Sequence, residues 1–517
     1  MICLNSRIPF KPITQSHKPR ILQPLHHHLT PVSCSNQEPT RPRGRGRRRS
    51  HQSNHAHIIK PLVNPIQKPM LPSPTEMVPG EGSSHVGVHM WALCGFGYWV
   101  QGFRCFPWLA LNFHLAHGLS LSSSTLQLMQ STGNLPMVAK PLFGVLSDAI
   151  SIGGAHRLPY ISIGVFLQLM SWGMLAIIPV TGNMFPTLMA CILLSNLGAS
   201  FTEVVSDAFV AESSRMHKVG ELQSYAFLAL AAGGILGNLS GGYFLLKAQE
   251  PKVMFLTFAF LLTFQLALSL ATKETVLHSR QSSDHHIVRY SIPNNIHKQC
   301  LNLVTAINEE RIIYPLFWMM ASVAVVPVLS GSMFFFQTHH LKLDPSIIGL
   351  SKVIGQLMVL SATAFYNRYL RRVPLRRLIF GVQILYAISL LSDLILVKQI
   401  NLMLGISNKV HVLCLSALAE AIAQFKILPF SVLLSTLCPS GCEGSLFAFF
   451  ASALCLSSIL GGVFGVGLSN LIGVSSGDYS SLPLGIVLQF VAALVPLGWI
   501  SSLPATWGGD EKIVKKT

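Results

Sequence analysis

The chain has 517 residues, of which 50% are hydrophobic and 11% charged, with a mean hydropathy of +0.50. A soluble domain of this size carries about a quarter charged residues, so most of this chain faces lipid or other helices and a large soluble domain is excluded. The formal net charge of +17 does not signal nucleic acid, because the basic residues do not form a stripe on a soluble fold. Much of the charge precedes residue 75, in Arg7, Lys11, Lys18, Arg20, Arg41, Arg43, Arg45, Arg47, Arg48, Arg49, Lys60 and Lys68, against Glu38 as the one acid, and the rest lies mainly in loops between apolar runs.

In chain order, residues 1–80 are rich in Pro, His, Ser and Arg and have no apolar core long enough for a secretory signal. This composition predicts an organelle transit peptide and a disordered N-terminal segment. The alternative is a basic tail that stays attached and touches anionic lipid.

Apolar stretches long enough to span a bilayer follow at 87–112, 123–149, 158–179, 184–212, 221–246 and 253–272. A polar gap then precedes further stretches at 312–338, 346–370, 375–397, 410–437, 443–472 and 482–503. The fold class expected is therefore an all-α membrane protein of about twelve transmembrane helices. It would comprise an N-terminal six-helix bundle over 87–272, a central polar connecting loop over 273–311, a C-terminal six-helix bundle over 312–503 and a tail over 504–517.

Orientation follows from basic residues in short loops, which translocate poorly. Arg157 stands after the second span, Arg215 and Lys218 after the fourth, the central-loop set after the sixth, and Arg368, Arg371, Arg372, Arg376 and Arg377 after the eighth. The opposite loops offer Lys247, Lys252, Lys342, Lys398 and Lys409. Both termini then share the side of the central loop. The second half also echoes the first: Glu221, Ala226 and Phe227 recur with unchanged spacing as Glu443, Ala448 and Phe449, a pattern that an internal duplication of six-helix units produces.

Ionisable residues inside spans cost several kcal/mol unless paired or wet, so each is a candidate for function. They are Arg104 in the first span, Lys140 in the second, Glu203, Asp207 and Glu212 in the fourth, Lys352 in the eighth, Asp393 in the ninth, and Glu420 and Lys426 in the tenth. Glu203 and Asp207 are four apart and share a helix face. Two adjacent acids raise at least one pKa, which suits proton uptake and release; the alternative is a static ion pair with Lys140 or Arg104. Glu420 and Lys426, six apart, point to different sides. Glycines at Gly233-Gly234, Gly237, Gly241-Gly242 and Gly461-Gly462 supply small faces for close helix contact.

Nothing in the sequence points to an enzyme. No Walker-type phosphate loop, nucleophile–base set or metal spacing is present, Cys438 and Cys442 being without a second pair, and no cofactor, metal or catalytic residue is expected.

Gly144 through Asp148, then Gly153-Gly154, His156 and Arg157, resembles the signature of the major facilitator superfamily between its second and third helices. The acid and the base can latch an inner gate, so Gly144, Asp148, Arg157 and, after the fourth span, Arg215 are candidate gating residues. A more particular resemblance runs from about Gly95 to the last span. Tyr98-Trp99-Val100-Gln101-Gly102, Lys140-Pro141-Leu142-Phe143-Gly144-Val145-Leu146-Ser147-Asp148, Arg157-Leu158-Pro159-Tyr160 and Glu203-Val204-Val205-Ser206-Asp207-Ala208-Phe209-Val210-Ala211-Glu212 resemble the folate-biopterin transporter family of plants, cyanobacteria and protists.

That resemblance implies a major facilitator fold, a small-molecule substrate of folate or pterin type, and alternating access in a bilayer. For a plant member with this N-terminus it implies a multi-pass plastid envelope protein, the mitochondrial inner membrane being the alternative. With such a cargo, Arg104 or Lys140 would meet the carboxylates, while Gln101, Asn112, Gln130 and an acid from Glu203 and Asp207 would meet the ring. A carrier of another organic anion, and a non-transporting membrane receptor or assembly factor, remain as rival readings.

Overall fold

The computed structural model describes residues 81–504, apart from residues 120, 151, 153, 154, 156, 179–184, 217–220, 248, 249, 273–291, 438–442, 475 and 476. The N-terminal 1–80 segment and the tail from 505 onward lie outside the described residues. Among the described residues every regular element is a helix, apart from one isolated bridge between Ile152 and Ala155.

Nine helices among them are long and apolar enough to cross a membrane. They account for the third to sixth and the eighth to twelfth expected spans: Leu158–Ile177, Phe185–Met216, Glu221–Lys247, Pro251–Ala271, Pro345–Arg368, Leu375–Val397, the run from Asn408 to Leu437, Glu443–Leu471, and the run from Leu482 to Ser502. The remaining three, 87–112, 123–149 and 312–338, are helical but broken. The first consists of Glu81–Phe103, Cys105–Phe113 and a π-turn His114–Gly118; the second of Ser123–Gly133, Leu135–Val138 and Lys140–Ala149. The seventh consists of Glu310–Ala324, Ser330–Phe335 and a π-turn Phe336–His340.

Each break has a proline as its cause. Proline has no amide hydrogen to give the carbonyl four residues back, and its ring crowds that carbonyl. Pro107 sits in the first turn after the Arg104 break, Pro136 and Pro141 follow the breaks at Asn134 and Ala139, and Pro327 lies within the irregular stretch 325–329. By contrast, Pro159, Pro251, Pro345 and Pro483 stand in the first turn of their helices, where no amide is needed.

The carbonyls freed by the breaks find partners on neighbouring spans, as they must in a medium without water. Gly133 O accepts from Asn196 Nδ2 of the fourth span at 2.6 Å. Val138 O accepts from Ser452 Oγ of the eleventh span, and Asn134 O, which also accepts from Met137 N, is met by Cys455 Sγ of the same span. The Ser322 carbonyl, which a continuing helix would bond to Val326, accepts from Lys426 Nζ of the tenth span at 3.0 Å.

Within the first half the first span packs on the fifth and the third on the fourth and sixth; within the second, the seventh packs on the eleventh, the eighth on the tenth and the ninth on the twelfth. Between halves, the second span lies along the eleventh and the fifth along the eighth. Gly233 shows why the fifth span needs a small residue: a Cβ there would stand 2.1 Å from the Trp99 carbonyl of the first span. The first span of each half ends in a π-turn, a shared irregularity at equivalent positions.

The central segment holds more than a loop. Ile292–Ile307 is a helix packed against Lys140–Ala149, Glu310–Ala324 and Glu443–Leu471. Leu303 and Ala306 are buried while Leu301 and Val304 are exposed, so one stripe faces the bundles, a 3.6-residue pattern hidden by the polar residues around it.

Candidate functional site

The N-terminal half buries a compact cluster of opposite charges. Arg104 stands at the break of the first span, Lys140 opens the last segment of the second, and Glu203 lies in the unbroken fourth. Glu203 takes both cations: Arg104 Nη1 donates to Oε1 at 3.0 Å and Lys140 Nζ to Oε2 at 2.7 Å. Arg104 Nη2 donates to Asn196 Oδ1 at 2.9 Å, and Asn196 is fully buried. Asn196 precedes Glu203 by seven residues and so shares its face, a spacing that the sequence itself carries.

Among the described contacts, Glu203 and Asp207 of the fourth span differ in their partners. Asp207 is half-buried and accepts from Tyr98 Oη at 2.6 Å, whereas Glu203 is committed to the cations. Of the two expectations for this pair, the described contacts of Glu203 are those of an ion-paired carboxylate, with Arg104 and Lys140 both attached.

Buried two-to-one pairing has an electrostatic consequence. With both cations protonated, Arg104, Lys140 and Glu203 sum to one excess positive charge in a low-dielectric interior, an arrangement that favours an anion nearby. Two donors one turn apart on the first span, Arg104 Nε and Gln101 Nε2, are buried without a hydrogen-bond partner among the described residues. Gln130 is half-buried and donates to Asn112 Oδ1 at 2.9 Å, pairing with that residue rather than with the charges.

The aromatic side chains of the first and seventh spans differ in their surroundings. Phe103, Trp108 and Phe335 are core residues, Trp108 standing edge-on to Trp172. Trp99 is half-buried within a stacked column, between Phe96 at 5.8 Å and Phe103 at 4.9 Å. Phe334 meets Phe113 edge-to-face across the two halves at 5.2 Å.

At the central-loop end of the second span, Arg157 is buried and donates to Ser147 Oγ at 2.8 Å, and Ser147 Oγ donates to Gly144 O at 2.9 Å. Tyr160 Oη donates to Ile150 O at 3.1 Å and ties the same turn. Gly144 and Arg157 are thus joined through Ser147. Asp148 and Arg215 keep their places on helices, but their side chains lie outside the described residues, as do those of Glu212 and Glu443.

The C-terminal half separates Glu420 from Lys426, as their spacing implies. Glu420 pairs with Lys352 of the eighth span. Lys426 is buried, donates to Ser322 O and lies 4.8 Å from the centre of the Tyr386 ring. A cation over an aromatic face gains electrostatic stabilisation where no carboxylate is at hand.

The geometry is that of a many-spanned helical membrane protein with charges buried among its helices. Residues 101–516 match the BT1 family. The chain belongs to the BT1 family, the folate-biopterin transporters. A relative from Arabidopsis thaliana, "Probable folate-biopterin transporter 9, chloroplastic", is 56% identical over 424 residues, covering 82% of this chain and 79% of that protein. The "Folate-biopterin transporter" of Synechocystis is 26% identical over 429 residues, covering 81% and 82%.

Among solved structures, a D-xylose-proton symporter superposes with a TM-score of 0.56 at 17% identity, covering 82% of this chain and 99% of that one. The POT family transporter PepTSo gives 0.57 at 12% identity, covering 81% and 98%. The fold of this BT1-family member is the major facilitator fold, in two six-helix halves. The family is one of transporters, so the chain is a multi-pass membrane transporter and not an enzyme, and its similarity to chloroplastic relatives assigns it to the plastid.

Proposed function

We propose that this protein moves folates or related pterins across the plastid envelope by alternating access, and that Arg104, Lys140 and Glu203 receive the anionic end of the cargo. The observation that carries this reading is the two-to-one charge cluster. A static pair needs one cation, whereas a second cation on the same buried carboxylate leaves positive potential and open donors for an anion. A folate has carboxylates at one end and a hydrogen-bonding aromatic ring at the other. Gln101 and Arg104 Nε, both without partners, supply donors; Asp207, held by Tyr98, supplies an acceptor for ring amino groups. Trp99 is the half-exposed aromatic nearest in sequence to these donors.

Gly144, Asp148, Arg157 and Arg215 belong to the gate at the central-loop end, which the basic loops place on the stromal side together with both termini. Asp207 is the acid left for proton coupling, because Glu203 is held by two cations.

Proteoliposomes holding the purified protein, tested with labelled folate, a pterin lacking the glutamate tail, and unrelated organic anions, test the assignment. The expected result is saturable folate uptake competed by the pterin and not by the unrelated anions. Preference for an unrelated anion would assign the site to another metabolite. Uptake of none of them, by protein that is folded and correctly inserted, would favour a receptor that kept the fold.

A further inference from the structure

The irregular stretch 325–329 of the seventh span is held from the other half of the molecule by one side chain. Gln127, on the second span one turn from its end opposite the central loop, is buried. Its Nε2 donates to Val328 O and, at 2.8 Å, to Gly462 O of the eleventh span. Its Oε1 accepts from the Gly331 amide at 2.9 Å. One amide thereby satisfies three backbone groups on two spans of the C-terminal half, and Val328 N completes the set by donating to Gly461 O at 2.9 Å.

The surroundings are built for this approach. A Cβ at Gly465 would stand 1.7 Å from Val328 O, one at Gly331 would stand 2.6 Å from Ser123 O, and one at Gly462 would stand 2.2 Å from Ser131 Oγ. At the same end, Phe113, His117, His339 and Phe335 form a ring column between halves, with His117 and His339 stacked at 4.4 Å, and Ser124 Oγ donates to Asn470 Oδ1 at 3.0 Å.

We infer that Gln127 is the positioning residue of the gate opposite the central loop, a latch that holds that end closed by capping the broken seventh span across the interface between halves. The inference rests on the alternating-access reading but not on the cargo. Opening that end must part the second span from the seventh and eleventh, so the three bonds must break together. Because the bonded groups are backbone, the latch depends on the seventh span being broken at Pro327. The carbonyl and amide it leaves behind are buried groups that cost free energy until rebonded. Gln127 therefore sets the balance between the two ends of the carrier rather than contacting cargo.

Amide hydrogen exchange of the full-length protein in lipid nanodiscs tests this without any substrate. In Gln127→Ala, peptides at the opposite-end tips of the first, second, seventh and eleventh spans should exchange about tenfold faster, while central-loop-end peptides slow, because the population shifts to the opposite-open form. A purely structural role predicts faster exchange at both ends. Gln127→Glu is close in shape and guards against a folding failure. When protonated it can still donate to one carbonyl and accept from Gly331; when ionised it loses the donor. It should come closest to wild type at acid pH and open that end further as pH rises, each point compared with wild type at the same pH. Exchange that rises equally at both ends, or a Gln127→Glu protein that tracks wild type at every pH, overturns the assignment.

Discussion

At the scale of single residues, Glu203 holds two cations. Removing its charge strands Arg104 and Lys140 in the interior, whereas removing Lys140 leaves Glu203 still paired with Arg104. Glu203→Gln should accordingly destabilise the folded protein by about 3–5 kcal/mol, the usual loss when one partner of a buried pair is deleted. Thermal unfolding of the purified protein measures this, and Lys140→Ala should unfold closer to wild type while losing uptake. Asp207→Asn keeps the acceptor for Tyr98 but removes the charge. It should abolish uptake with the protein still in the membrane, and full activity would remove Asp207 from the site. The charges themselves were legible as rare ionisable residues in apolar runs. An ion pair with Lys140 or Arg104 was one of two readings open to them, but which acid takes the cations was not legible, because spacing along one helix places Glu203 and Asp207 about 40° apart on a common face, and only the neighbouring spans decide that one meets Lys140 and the other Tyr98.

At the scale of elements, the broken spans carry both cations of the candidate site, while Glu203 lies on the unbroken fourth. Arg104, Lys140 and the Gln127 contact all stand at interruptions of the first, second and seventh spans, where freed backbone groups call in polar partners. The apolar runs predicted that these spans exist and roughly where, since twenty or so apolar residues are needed to cross. The breaks were written in Pro107, Pro136, Pro141 and Pro327, but a proline in a span announces a kink without saying which neighbour answers it. Restoring the missing donor tests their role. Pro327→Ala lets the seventh span re-form its ladder, so it should leave thermal stability within about 1 kcal/mol of wild type or raise it. Turnover should fall at the same time, read as a lower maximal uptake rate at unchanged KM. The helix Ile292–Ile307 was hidden in a segment that reads as polar loop; Leu303, buried against the bundles, is its anchor. Leu303→Asp should lower the unfolding temperature, checked by the same melt, because it buries an unpaired carboxylate.

At the scale of the whole molecule, two halves meet along the second and eleventh spans and along the fifth and eighth, which fits a carrier that rocks about a central site. The two-bundle architecture and the family were both readable from the residues, the first from span count and the polar gap, the second from motifs concentrated in the first half. The proposed cargo reading belongs to this scale, because it rests on the two cations that the N-terminal cluster gathers on Glu203. The most direct measurement is folate uptake by proteoliposomes carrying wild-type or Lys140→Ala protein at equal insertion. Saturable uptake by wild type with loss of at least most of it in Lys140→Ala is the predicted result; equal uptake by the two proteins would contradict the claim that this cluster receives the cargo's anionic end.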